Sequence, residues 1–115
     1  MEDHGIIDDA MTLIEKLRDS DSALIKFIKK DGSTRLMKCT LNFERIPLSD
    51  KPKNINVPAI YKNIKNHKQI NVYDIEKKGW RRINVDTSEW IEFKKNDPDD
   101  KSKPQDVIRY RLRIK

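Results

Sequence analysis

Residues 70–91 constrain the fold of this chain more than any other stretch. They read INVYDIEKKGWRRINVDTSEWI, two segments rich in strand-forming residues on either side of a lysine–glycine turn. Gly79 tolerates the positive φ with which such a loop ends. The pattern predicts an antiparallel hairpin with a three-residue loop at 77–79, in which Glu76 faces Trp80.

This register places Tyr73 opposite Ile83 and Asp74 opposite Arg82. The ring and aliphatic side chains then share one face of the hairpin, and Asp74 and Arg82 lie on the other. Asp74 and Arg82 have two interpretations. They form either a cross-strand ion pair, worth under about 1 kcal/mol if exposed, or a contact to a ligand. The predicted apolar face consists of Tyr73, Ile75, Ile83 and Val85.

A second hairpin is indicated earlier in the chain by the Asp-Gly pair at 31–32. A two-residue loop would place Ile25 opposite Lys38, whereas a three-residue loop with a bulge at Gly32 places it opposite Met37. The second register collects the apolar side chains on one face and is the one we expect. That face holds Ile25, Phe27, Met37, Cys39 and Leu41.

The remaining segments divide the chain into four parts. Residues 1–22 are acidic and contain a predicted amphipathic helix at 6–18, with apolar residues at helical spacing. Residues 23–93 form the β region, with a loop at 43–56, a short helix starting at Pro58 and a last strand at 89–93. Residues 94–106 are a charged linker. Residues 107–115 form a strand that alternates apolar and cationic side chains.

Composition narrows the class of protein. The chain has 115 residues, of which 38% are charged, enough for one domain with a modest core. No apolar run is long enough to span a membrane, and the acidic N-terminus does not resemble a signal peptide. The single cysteine, Cys39, excludes an intrachain disulfide. We expect a cytoplasmic protein without a membrane partner.

The net charge of +6 is unevenly distributed. Residues 1–22 hold seven acidic and two basic side chains, a net of −5, and the remainder hold 12 acidic and 23 basic, a net of +11. A basic body behind an acidic segment indicates a polyanionic partner. The alternative is that richness in lysine and isoleucine reflects an AT-rich genome.

Two hairpin sequences resemble a known family. KKDGSTR at 29–35 with MKCTLNFERIP at 37–47, and VYDIEKKGWRRINVD at 72–86, are similar to the small WYL-like, Sm-like SH3 β-barrel family. The resemblance spans about residues 23–91 and implies a mainly β fold: a small, strongly bent antiparallel barrel in a phage or prophage setting. The N-terminal helix, the short inserted helix at Pro58 and the C-terminal strand would be additions. The resemblance carries no catalytic residues.

No catalytic constellation is visible in the sequence. The three glycines are isolated, so there is no phosphate-binding loop, and no spacing of histidines and acidic residues fits a metal site. A Cys39–His67 dyad lacks a third partner. We therefore expect a non-enzymatic protein without a metal or cofactor.

Cationic and aromatic side chains define the predicted binding site. Arginine makes bidentate contacts to phosphate, and Trp80, Tyr73 or Trp90 could stack on bases if its ring is exposed. The expected partner is DNA or RNA. Alternatives are a protein–protein adaptor acting on a host or phage protein through strand edges or the N-terminal helix, and a structural virion component that oligomerises through sheet edges. The predicted nucleic-acid-binding residues are Arg81, Arg82, Arg109, Arg111, Arg113, Lys29, Lys30, Arg35 and Trp80.

Overall fold

A computed structural model describes residues 3–51, 55–95 and 106–114. The strands are β1 (Asp3–Ile7), β2 (Ser22–Ile28), β3 (Thr34–Thr40), β4 (Gln69–Asp74), β5 (Gly79–Asn84), β6 (Ser88–Lys95) and β7 (Asp106–Leu112). The helices are α1 (Ala10–Asp19) and α2 (Val57–His67), and short 3₁₀ turns occupy Phe43–Arg45, Leu48–Asp50 and Val85–Thr87. The protein is mainly β, as expected.

The described strands form one sheet in the order β1-β7-β6-β2-β3-β4-β5. The five strands of the predicted barrel lie together as β6-β2-β3-β4-β5, and all neighbouring pairs among them are antiparallel. The C-terminal strand β7 joins β6 antiparallel, and β1 then adds to β7 in parallel. The edges of this sheet are β1 and β5.

The register of the first hairpin is the one predicted. Ile25 faces Met37 and Ala23 faces Cys39. Gly32 has φ 88° and donates a backbone hydrogen bond to the carbonyl of Lys29. Glycine takes this positive φ at no steric cost, which fixes the loop length and therefore the register.

The predicted register of the second hairpin is wrong. Tyr73 faces Trp80 and Ile70 faces Ile83, so the loop at 75–78 is one residue longer than expected. The cause is the side chain of Asp74, whose Oδ1 accepts hydrogen bonds from the backbone amides of Glu76 and Lys77 and so closes the turn. The positive φ falls on Lys78, at 54°, and not on Gly79.

Asp74 consequently does not pair with Arg82. Its carboxylate is buried, and Oδ2 accepts from Nη2 of Arg35 at 3.3 Å. The first hairpin therefore supplies the cation that the second hairpin was expected to supply. Asp74 links the two hairpins through this ion pair and holds the turn at 75–78.

The prediction of a helix at 6–18 placed its start too early in the chain. Residues 3–7 are the strand β1, and α1 starts at Ala10, after Asp9 as its N-cap. The Asp9 carboxylate accepts from the backbone amide of Thr12 at 3.0 Å, which lowers the pKa of Asp9. The basic residues of the last turn, Lys16 and Arg18, lie where the helix dipole favours them, as predicted.

One hydrophobic core fills the space between the inner face of the sheet and the two helices. α1 contributes Leu13, Ile14 and Leu17, and α2 contributes Ile64. Two of the residues predicted to lie inside are only partly buried: Phe27, which packs against the core, and Ile75, which lies in the turn after β4. The sheet residues in the core include Ile25, Met37, Cys39, Leu41, Ile70, Val72, Ile83, Ile91, Phe93 and Leu112.

The ends of the predicted linker also differ from the expectation. Lys94 and Lys95 belong to β6, and Asp106 begins β7. The rest of the linker, residues 96–105, lies outside the described residues, as does Lys115. The predicted alternation of β7 is found where side chains are described. Leu112 is buried, Tyr110 and Ile114 pack against the core, and Arg111 and Arg113 are exposed.

Candidate nucleic-acid interface

The outer face of the sheet, opposite the helices, carries aromatic and cationic side chains on adjacent strands. Ile91 of β6 points into the core, so Trp90 and Glu92 point outward. Trp90 lies between two cations, since Lys26 of β2 is its partner on one side and Arg111 of β7 on the other. Aromatic rings and cations are also the two kinds of group that surfaces for single-stranded nucleic acids combine.

The side chain of Arg109 is stacked on Trp90. The centre of its guanidinium lies 3.9 Å from the centroid of the ring. Nε and Nη2 both donate to Oε1 of Glu92, with Nε at 2.8 Å. Glu92 therefore holds the guanidinium plane against the indole and offsets the positive charge of Arg109. The guanidinium of Arg109 therefore covers one face of the Trp90 ring and does not act as a separate cation.

A groove of about 460 Å³ runs beside this stack. Arg111 and Arg113 lie along it on β7, and both are exposed. Its size falls within the range of typical ligand-binding clefts. The three arginines of the C-terminal segment, predicted as a row from alternation alone, are thus brought together on one wall. The groove is lined by Ile28, Asp86, Thr87, Ser88, Glu89, Trp90, Arg109, Arg111 and Arg113.

Lys29 and Lys30 follow in sequence a residue that lines this groove. Ile28, the last residue of β2, lines the groove, and the two lysines follow it directly in the exposed turn. Lys26, three positions before Lys29, pairs with Glu89 at 3.2 Å. The first hairpin therefore contributes Lys26 to the face that carries Trp90, and the assignment of Lys29 and Lys30 to a binding site stays a prediction.

The remaining predicted residues lie elsewhere. Arg81 and Arg82 are exposed on β5, the strand at the opposite edge of the sheet order from β1 and β7. Arg35 is engaged with Asp74. The structure thus divides the predicted site into a β7 group and a β5 group.

Trp80 has a structural role on β5. Its Nε1 donates to the backbone carbonyl of Asp50 at 2.9 Å, and its ring meets Tyr73 edge-on at 5.8 Å between centroids. The Tyr73 hydroxyl donates to Oδ2 of Asp50 at 2.7 Å, and this bond raises the pKa of Tyr73. Together, the hydrogen bonds from Trp80 and Tyr73 to Asp50 attach the 3₁₀ turn Leu48–Asp50 to the second hairpin. The Trp80 side chain retains 39% exposure.

The cysteine–histidine pair has no catalytic geometry. Cys39 is buried on the inner face of β3, and burial raises the pKa of its thiol to about 12. His67 is exposed at the end of α2. Within the described residues, no group of three or more histidine, cysteine and acidic side chains is placed to hold a metal ion.

We expect Cys39 of the native protein to react with a thiol reagent at pH 8 only as fast as the protein opens, because the thiol is both inaccessible and protonated. Mass spectrometry of aliquots with and without guanidinium chloride measures this rate. The denatured sample, in which the thiol has an ordinary pKa, is the positive control. Rapid labelling of the native protein would contradict the placement of Cys39.

The fold and this surface define a class: a small β-barrel protein with a basic and aromatic outer sheet face. The model of the family described as WYL_2, Sm-like SH3 beta-barrel fold, matches residues 10–87, and the chain belongs to this family. The match starts at α1, so this helix is part of the family region, contrary to the expectation from the hairpin resemblance. β7 lies outside it, as expected. Neither the search of curated proteins nor that of solved structures gave a significant match.

Several residues of the interface are not among the predicted site residues. Trp90 is one of several rings in the sequence that could stack, and no pattern in the sequence assigns a role to Lys26, Glu92 or Asp86. Their positions depend on the pairing of β6 with β2 and β7. The pairing of β6 with β2 joins distant parts of the chain, and no local signal in the sequence marks either pairing. No helix in the described part of the chain is long and apolar enough to cross a membrane.

Proposed function

We propose that this protein is a non-catalytic module that binds single-stranded nucleic acid on the outer face of β2, β6 and β7. The observation that supports this most is the Arg109–Trp90 stack held by Glu92 beside exposed arginines. Bases stack on aromatic rings and on arginine planes, and the backbone follows neighbouring cations. A phage or prophage setting, which the family resemblance implies, is part of this proposal.

The geometry favours a single strand over a duplex. The stacking surface consists of an indole and a guanidinium on the outer face of a sheet, and it is accessible to a base only after that base has left its own stack. We assign the phosphate contacts to the exposed cations Arg111, Arg113, Lys29 and Lys30.

Fluorescence anisotropy with a labelled mixed-sequence single strand of 20 nucleotides tests the proposal. We expect the double variant Arg111→Gln/Arg113→Gln to bind more weakly. Its salt slope, log K against log salt, should be smaller by up to about 1.4, because each phosphate of a single strand that an arginine neutralises adds about 0.7 to the slope. Circular dichroism checks that both proteins are folded.

The matched control is Arg81→Gln/Arg82→Gln, which removes the same charge from β5. If binding is located on β7, this variant keeps most of the salt slope. Equal losses from the two double variants would show that only overall charge matters. Absence of binding by the wild-type protein at low salt would exclude the proposed function.

A protein–protein adaptor is the second candidate function, and one surface favours it. Leu48 is 86% exposed and lies in the turn fastened by Trp80, beside the edge strand β5. An exposed apolar side chain next to an edge strand suits addition of a partner strand. Capture of a partner from the native host that resists both nuclease and high salt, and is lost with Leu48→Ser, would support this function.

A further inference from the structure

The groove beside Trp90 contains a carboxylate that a site for phosphate alone would not need. Asp86 lies in the 3₁₀ turn Val85–Thr87, is exposed, and lines the groove together with Arg111 and Arg113. Close to a phosphate its negative charge would be unfavourable, by the same Coulomb term that makes the arginines favourable. A ligand that offers hydrogen-bond donors as well as acceptors would match this groove better than phosphate alone.

The other carboxylates near the groove already pair with cations of the protein. Glu92 accepts from Arg109, and Glu89 pairs with Lys26. Asp86, by contrast, has no hydrogen bond or salt bridge from its side chain to any other residue in the described ranges 3–51, 55–95 and 106–114. Its two oxygens are thus available to a ligand, on the wall of the groove that the turn Val85–Thr87 forms.

Among the four common bases, guanine best matches this set of groups. Its Watson–Crick edge presents two adjacent N–H donors, N1–H and the exocyclic amine, which suit one carboxylate. Its O6 and N7 are acceptors, the usual partners of arginine. The Watson–Crick edge is free only in a single strand, which agrees with a stacking surface on Trp90 and Arg109.

We propose that the groove between Val85–Thr87 and β7 is a guanine-binding subsite for single-stranded nucleic acid. Asp86 accepts from the Watson–Crick edge, Arg111 or Arg113 donates to O6 and N7, and the Trp90–Arg109 stack supports the plane of the base. The subsite rests on the proposed function, to which it adds a base preference.

Anisotropy titrations with labelled 12-nucleotide single strands test this subsite. The DNA probes are four repeats of GTT, of ATT, and of ITT, in which inosine lacks the exocyclic amine. Four repeats of GUU as RNA show whether the sugar matters. The wild-type protein should bind GTT on the order of 10-fold more tightly than ATT, since one well-placed bidentate contact gives discrimination of that size. ITT should fall between them.

The variant Asp86→Asn separates base recognition from charge. It should bind ATT more tightly than the wild-type protein does, because a negative charge near the phosphates is removed. Its preference for GTT over ATT should fall but not vanish, because the arginine contact to O6 and N7 remains. Glu76→Gln is the matched control: it removes an exposed carboxylate at the tip of the second hairpin and should keep the preference.

Two outcomes would overturn the subsite. Equal, salt-dependent binding of GTT and ATT by the wild-type protein would refute the base preference and leave the proposed function intact. A preference in Asp86→Asn as large as that of the wild-type protein, or equal affinity for GTT and ITT, would refute the contact assigned to Asp86. Failure of every probe to bind at low salt would remove the subsite and the proposed function together.

Discussion

Replacing Asp74 with alanine should reduce the free energy of unfolding by about 2–4 kcal/mol. The carboxylate is 1% exposed and accepts three hydrogen bonds, from the amides of Glu76 and Lys77 and from Arg35. Its loss leaves the turn at 75–78 without its side-chain partner and Arg35 without its counterion. Equilibrium unfolding in urea, followed by circular dichroism, measures the change.

Two further variants make this test specific. Glu76→Ala alters an exposed carboxylate in the same turn and should change stability by less than about 0.5 kcal/mol. Asp74→Asn keeps the oxygen that closes the turn but not the negative charge opposite Arg35, so it should fall between wild type and alanine. If Asp74→Ala is as stable as Glu76→Ala, the link between the two hairpins through Asp74 contributes nothing.

Replacing Ile14 with alanine should cost about 2–5 kcal/mol, the range for a buried aliphatic side chain that leaves a cavity. Ile14 is 0% exposed on α1, in a core shared with Ile64 of α2 and the inner face of the sheet. A loss of this size would show that α1 is an integral part of the domain. The family match, which begins at the first residue of α1, leads to the same expectation.

The control for this variant is Glu15→Ala, one position along the same helix. Glu15 is exposed, and alanine is at least as good a helix former, so stability should change by only a few tenths of a kcal/mol. Thermal unfolding of the wild-type protein and of both variants, at several protein concentrations, measures these changes in stability. A loss below about 1 kcal/mol for Ile14→Ala would mean that α1 does not cover the core.

The two hairpins show what sequence reasoning can and cannot recover. In the first, the Asp-Gly turn and the alternation of apolar residues agree, and the register follows. In the second, Ile70 and Val72 face the core, while Tyr73 is buried on the other face beneath the turn that contains Asp50. Burial on both faces removes the alternation signal, and a side-chain bond from Asp74 decides the loop length.

The arrangement of side chains on the outer face of the sheet was predicted only in part, for a similar reason. Alternation along the last strand gave the outward direction of Arg111 and Arg113, which is a local property. The pairing of Arg109 with Glu92 depends on which residues of β6 and β7 face each other. The strand β1 was missed because Ile6 and Ile7 also fit the helical spacing of α1, and its only strand partner among the described residues is β7, at the other end of the chain.

The parallel pairing of β1 with β7 also determines the order in which the strands can pair during synthesis. Ile7 leaves the ribosome early, yet its partner Leu112 is made on the order of 100 residues later, and contacts so distant in sequence form slowly. During synthesis, α1 and β2 to β6 can assemble while β1 still lacks a strand to pair with. β1 is therefore the first of the described strands to be synthesised and the last to be paired, and a chain halted before β7 would expose it to any other free strand edge in the cell.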